Sequence, residues 1–200
     1  AVAAGSGMAK ILESLGVDVV VSGGQTMNPS TKDLLDAVER VNADAVIILP
    51  NNSNIIMAAQ SAAGLSEVPC AVVPTKSVPQ AFSALFSADE TASLEENVEN
   101  MTSAFADTKT GEVTTAIKDS KDAHDNPIHN GDVIGIADGS IEAVGSSVED
   151  VVMSLLDTME AEDADTLTLL AGEDFSDEQL DALVERIESR FDELEVDAHG

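Results

Sequence analysis

AVIILPNNSNIIMAA, residues 45–59, is the stretch that decides the fold. Residues 45–49 are apolar without interruption, as in a strand buried on both faces. A short polar loop, PNNSN, follows, and from Ile55 to Ala63 the chain reads as a helix. The same unit recurs on either side. AVAA (1–4) reads as a short strand, and Met8, Ile11, Leu12 and Leu15 then fall at helical spacing, with Gly16 as the stop. Residues 17–21 form a second apolar strand. Leu34, Leu35, Val38 and Val41 give the next helix its buried stripe, capped by Ser30 or Thr31. Residues 70–73 form a fourth strand, followed by a short helix over residues 81–86. Buried strands alternating with helices predict a parallel α/β sheet. Right-handed crossovers place every strand-to-helix loop at its carboxyl edge.

From residue 87 the pattern changes. Leu94, Val98, Met101 and Phe105 mark a helix, and residues 112–118 alternate as a half-exposed strand. Residues 126–131 read as a turn region. Residues 133–137 and 140–144 flank Asp138-Gly139, a two-residue hairpin signal. Helix, strand, helix and strand follow over residues 148–159, 166–170, 178–189 and 194–198. This predicts an α+β subdomain with a mixed sheet.

Charge divides the chain at the same place. Residues 1–86 hold seven acids and four bases, and residues 87–200 hold 31 acids and five bases. The nets of −3 and −26 make up the total of −29, and the subdomain boundary is placed near Phe86. The acidic half is either a solvated, self-repelling surface or a face that selects a basic partner. With 38 acids against nine Lys and Arg, no Trp or Tyr and five Phe, the chain offers neither a phosphate-binding surface nor a base-stacking platform, so nucleic acid is not an expected partner. The single cysteine, Cys70, lies in the apolar run VPCAVV and reads as a buried strand thiol in a reducing, cytoplasmic setting. No apolar run approaches the length of a membrane span. Ala1 and the His199-Gly200 end read as those of a piece of a longer chain.

The carboxyl-edge loops are the likeliest binding surface, because open α/β sheets bind outside the carboxyl ends of their strands. Gly23 and Gly24 allow positive φ and close backbone approach. Gln25, Thr26, Asn28, Ser30 and Thr31 then crowd uncharged donors and acceptors together. Asn51, Asn52, Ser53 and Asn54 do so after the third strand, and Thr75, Lys76, Ser77 and Gln80 after the fourth. Capping and Asx-turns account for about one such residue per loop, not four. Lys32 and Lys76, near helix starts, hint at an anionic partner. No catalytic set is evident: the three His lie outside the first half, and no phosphate-binding loop occurs. Asp122, His124, Asp125 and His129 only sketch a metal site, and no metal is expected.

The ordered set AVAAGSGMAKILESLGVDVVVSGGQTMNPST (1–31), NADAVIILPNNSNIIMAA (42–59), VVPTKSVPQA (72–81), LEENVENMTSA (94–104), KTGEVTTAI (109–117), GDVIGIADG (131–139) and GEDFSDEQ (172–179) resembles the C-terminal region of the dihydroxyacetone-kinase-like proteins. That family includes the ATP-binding subunit of bacterial fatty acid kinase. The resemblance implies a two-subdomain, DegV-like fold and a non-catalytic domain. That domain docks a DegV-like fatty-acid-binding subunit, so that the bound acyl group can be phosphorylated. ATP and magnesium are expected in a domain preceding this segment, no cofactor within it, and an aromatic, glycine-containing tail beyond it. A lipid- or small-molecule-binding module, with fatty acid as its ligand, and a dihydroxyacetone-type kinase remain alternatives.

Overall fold

In a computed structural model the described residues are 1–24, 27–122, 125–137 and 140–200. They divide into two compact units, Ala1–Thr108 and Lys109–Gly200.

The first unit runs β1 (Val2–Ala3), α1 (Ser6–Ser14), β2 (Val21–Ser22), α2 (Thr31–Val41), β3 (Val46–Ile48), α3 (Ile56–Leu65), β4 (Cys70–Val72), α4 (Val78–Phe86) and α5 (Leu94–Ala104). β1 pairs with β2 and β3 with β4, both in parallel. The Val2 N–H donates to the Leu49 carbonyl at 2.9 Å and joins the two pairs, giving the order β2-β1-β3-β4. The chain leaves β1 toward one side and β3 toward the other, so the switch point lies between these two strands.

The core explains the order. Val2, Val46 and Ile48 from the sheet pack with Leu34 and Val38 of α2 and with Ile55, Ala59 and Ala62. The two alanines give α3 a small inner face and let it lie close beside α2 and β4. α2 begins at a reciprocal cap: Ser30 Oγ accepts from the Asp33 N–H at 3.2 Å, and the Ser30 N–H donates to Asp33 Oδ2 at 2.9 Å. α1 ends as its glycine foretells. Gly16 takes φ 97, its N–H donates to Glu13, and the Val17 N–H reaches back to Leu12. That closure occupies the start of the apolar run 17–21, and β2 forms only at Val21–Ser22.

The packing boundary, after Thr108, and the charge step near Phe86 are different places. α5 is acidic on its outer face, yet it packs on α4, β3 and β4 in the first unit. Surface charge records what faces water, whereas the boundary follows the buried side chains. In α5 these are Met101 and also Asn97, a polar residue off the expected apolar stripe.

The second unit holds β5 (Gly111–Thr115), β6 (Ser120–Lys121), β7 (Pro127–Ile128), β8 (Val133–Ala137), β9 (Ser140–Gly145), α6 (Val148–Thr158), a 3₁₀ turn at Ala161–Asp163, β10 (Thr166–Leu170), α7 (Asp177–Arg190) and β11 (Glu195–His199). β5-β8-β9 is antiparallel, whereas β10 and β11 are parallel and joined through α7. Ala137 pairs with Ser140, as a two-residue hairpin requires; the Asp138-Gly139 link itself lies outside the described residues. α6 crosses the antiparallel sheet on three glycines. A Cβ on Gly145 would sit 2.9 Å from Val151, on Gly135 3.0 Å from Val151, and on Gly111 3.0 Å from Leu155. The opposite side of α6 packs Leu156 against Leu183 and Ile187 of α7.

Candidate binding edge of the parallel sheet

The loops after β1, β2, β3 and β4 open at one edge, as the topology demands. The structure sorts their polar residues into those the fold consumes and those it leaves free.

Asn51 and Thr75 belong to the fold. Thr75 is fully buried; its hydroxyl donates to Asn51 Oδ1 at 2.7 Å and accepts from the Asn51 N–H at 3.2 Å. Asn51 Nδ2 donates to the Val2 carbonyl at 2.9 Å. These bonds latch the ends of β1, β3 and β4 together. Asn51 holds them from the left-handed region at φ 57, which asparagine tolerates better than most residues.

Most of the remainder are caps and turns. Ser30 caps α2. Ser77 caps α4, accepting from the Gln80 N–H at 3.4 Å, while Gln80 Oε1 accepts from the Lys76 N–H at 2.7 Å. Asn52 Oδ1 accepts from the Asn54 N–H at 2.9 Å in an Asx-turn. Gly23 and Gly24 do not take positive φ, contrary to the expectation from sequence. Gly23 is glycine for packing: a Cβ there would lie 2.6 Å from Pro29 Cδ and 3.1 Å from Val2 Cγ1. At Gly24 a Cβ would meet that of Ala4 at 3.2 Å. Gln25 and Thr26 lie outside the described residues. Lys32 does not serve the edge, because its ammonium pairs with Asp36 one turn along α2. That hydrogen bond holds its pKa above the ordinary lysine value.

Asn28, Ser53, Asn54 and Lys76 remain. All are exposed, and their side chains make no hydrogen bond or ion pair among the described residues. Met27, 72% exposed, stands beside Asn28. The edge is therefore a latched floor with a rim of uncharged amides, a hydroxyl, one cation and a thioether. Such a rim can dock a polar or mixed surface.

Other features lie off this edge. The apolar cavity under α2, lined by Val2, Val21, Leu34, Val38, Val46 and Ile48 among others, holds about 30 Å³. An open groove of about 690 Å³ beside β2 is lined by Val20, Val21, Ser22, Pro29, Asp33, Asp36 and Arg40, and includes none of the free rim residues. Cys70 is half-buried in β4, and burial pushes its thiol up, away from the reactive thiolate. Asp122 holds Asn126, Asp125 pairs with Lys121, and His129 faces Asp132 at 3.6 Å; His124 lies outside the described residues. Among the described residues no three His, Cys, Asp or Glu side chains converge as metal ligands. No helix among them is long and apolar enough to cross a membrane.

One feature of this unit escaped the sequence. Asn97 accepts from the Asp89 N–H at 2.8 Å and donates to the carbonyls of Asp89 at 2.7 Å and Ser93 at 3.2 Å, stapling the α4–α5 connection. An amide on the inner face of an amphipathic helix was the available signal.

A parallel, latched α/β unit followed by a mixed-sheet unit defines a DegV-like fold, and two solved structures share it. The DegV lipid-binding protein of Thermotoga maritima superposes with a TM-score of 0.58 at 12% identity, over 86% of this chain and 69% of that one. The fatty acid kinase B3 protein of Streptococcus pneumoniae, solved loaded with linoleic acid, superposes with a TM-score of 0.59 at 15% identity, over 85% and 69%.

Sequence places the chain more narrowly. The family model for the C-terminal domain of FakA-like proteins, the A-type subunits of fatty acid kinase, matches residues 1–200, and the chain belongs to that family. Protein YloV of Bacillus subtilis is 44% identical over 200 residues, covering 100% of this chain and 36% of the relative. An uncharacterized protein of Staphylococcus haemolyticus is 40% identical over the same length, also 36% of the relative. The chain thus spans about a third of the length of these curated relatives.

Proposed function

We propose that this chain is the non-catalytic docking domain of a fatty acid kinase subunit, and that its carboxyl-edge rim receives the fatty-acid-binding partner subunit. ATP and magnesium are handled by the part of the longer protein outside this segment. The observation that carries the reading is the division of labour at the edge. Asn51 and Thr75 spend their polar groups fixing the strand ends, while Asn28, Ser53, Asn54 and Lys76 are left unpaired on that fixed floor. A rim held rigid before contact loses little entropy on association.

The fold likeness to a protein carrying linoleic acid raises a lipid-binding reading. A ligand pocket occupies roughly 300–1,000 Å³, and the apolar cavity under α2, at about 30 Å³, is far below that. Docking is the better-supported role.

The test is a pull-down of the cognate fatty-acid-binding subunit by this chain, repeated with Asn28→Ala, Asn54→Ala and Lys76→Ala combined. Binding by the wild type and its loss in the triple variant are expected. Undiminished capture by the triple variant moves the interface elsewhere. ATP hydrolysis or acyl phosphorylation by the chain alone overturns the non-catalytic assignment.

A further inference from the structure

Charge along the chain has a gap. Residues 45–88 contain one acid, Glu67, and one base, Lys76, in a protein of net charge −29. α3 lies inside this neutral span and carries no ionisable side chain.

Its inner face is Ile55, Ala59 and Ala62, all fully buried. The opposite face presents Met57, Gln60, Ser61, Gly64 and Leu65, all exposed, within one arc at helical spacing. Met57 is 78% and Leu65 65% exposed. A surface helix ordinarily turns charged or polar residues to water. α3 turns two large apolar side chains and a glycine instead. Scattered exposed apolar residues need no explanation, but here two of the chain's exposed large apolar residues share one uncharged helical face. That face begins where the rim residues Ser53 and Asn54 end.

Area decides what can cover it. A ten-residue helix is about 15 Å long and about 10 Å wide, so its face offers a footprint on the order of 150 Å². A stable interface needs roughly 800 Å² per partner. Two copies meeting α3 to α3 fall well short, and each would bring a net charge of −29 to the other. An occupant must continue from the helix onto the adjoining surface, and the adjoining uncharged surface is the rim.

We infer that the outer face of α3 is the apolar part of the docking surface whose polar part is the carboxyl-edge rim, and that one partner, the fatty-acid-binding subunit, covers both. This rests on the docking role proposed above. The partner's complementary patch is uncharged, with apolar side chains opposite Met57 and Leu65 and hydrogen-bonding groups opposite Ser53 and Asn54. Ser61 and Gly64, between the two large side chains, form the hollow into which an apolar side chain of the partner fits.

The experiment measures affinity for the cognate fatty-acid-binding subunit by calorimetry, using the whole chain. The variants are Met57→Glu/Leu65→Glu, the milder Met57→Gln/Leu65→Gln, Asn54→Ala, and Glu39→Lys on the exposed face of α2. Far-UV circular dichroism checks each fold. The glutamate pair is expected to weaken binding at least tenfold and the glutamine pair severalfold, with Glu39→Lys equal to wild type. Wild-type affinity in both pairs, with Asn54→Ala weakened, overturns the inference and leaves the docking reading standing. No binding by the wild type overturns both. A wild-type dimer that the glutamate pair converts to monomer in sedimentation assigns the face to a second copy and also overturns the inference.

Discussion

Replacing Thr75 with valine changes one oxygen to one carbon at a point with no solvent access. The side chain keeps its shape, so packing is nearly conserved and the effect isolates the hydroxyl. Two hydrogen bonds disappear, the 2.7 Å bond to Asn51 Oδ1 and the 3.2 Å bond from the Asn51 N–H. Each contributes about 0.5–1.5 kcal/mol net, and an orphaned buried donor costs about 1–3 kcal/mol. The added methyl returns about 0.8 kcal/mol. The balance is a loss of about 2 kcal/mol, which is roughly a 30-fold change in an opening equilibrium. Asn51 then has less to hold it in its left-handed conformation, and the bond from its Nδ2 to the Val2 carbonyl loosens with it. Amide hydrogen exchange is the suitable assay, because it reads the latch directly while the second unit serves as an internal reference. Asn51 and Val2 N–H should exchange about 30-fold faster in the valine variant, with the β8–β9 amides unchanged. Thr75→Ser keeps the hydroxyl and should protect Asn51 better than valine does. Wild-type exchange at Asn51 in Thr75→Val, or a serine variant worse than the valine one, would refute the latch.

Three further outcomes follow from the packing and the caps. Gly135→Val would drive carbon into Val151, Ala143 and Leu155, which lie within 3.4 Å of a Cβ there; a loss of about 1–3 kcal/mol is expected in urea titrations followed by circular dichroism. Asn97→Ala should cost about 2–3 kcal/mol and speed exchange at Asp89, whose N–H it leaves unpaired. The Ser93 N–H and hydroxyl hold the Glu96 carboxyl below its usual range, as the Ser30 hydroxyl and N–H do for Asp33 and the Arg186 guanidinium and Ser147 do for Asp150. Groups so lowered stabilise the fold above the ordinary carboxylate pKa and lose that contribution as pH falls through the depressed values. Carbon-detected titration should therefore show Glu96 titrating low in the wild type and returning toward its ordinary value in Ser93→Ala.

The order of strands and helices was legible because each buried strand is a short apolar run and each helix shows its stripe. Caps at Ser30 and Ser93 and the stop at Gly16 are local chemistry, and local chemistry is what a sequence displays. The site was legible only as a set of loops. Asn51 and Asn54 look alike in PNNSN, yet one is tied to Thr75 and Val2 and the other is free. That distinction depends on partners 24 and 49 residues away. Gly23 was misread for a related reason: its need is room for Pro29 and Val2, a tertiary demand that imitates a backbone one. The charge step near Phe86 marked a change of surface, and the buried Asn97 and Met101 carry α5 across it into the first unit.

The claim at the centre is that the partner lands on the carboxyl edge. An exchange footprint of this chain with and without the cognate fatty-acid-binding subunit tests it most directly. Protection gathered at residues 27–30, 51–57 and 75–77, with α2 beyond its first turn and the second unit unchanged, is the expected result. Protection confined to residues 109–200, or none at saturating partner, would contradict it.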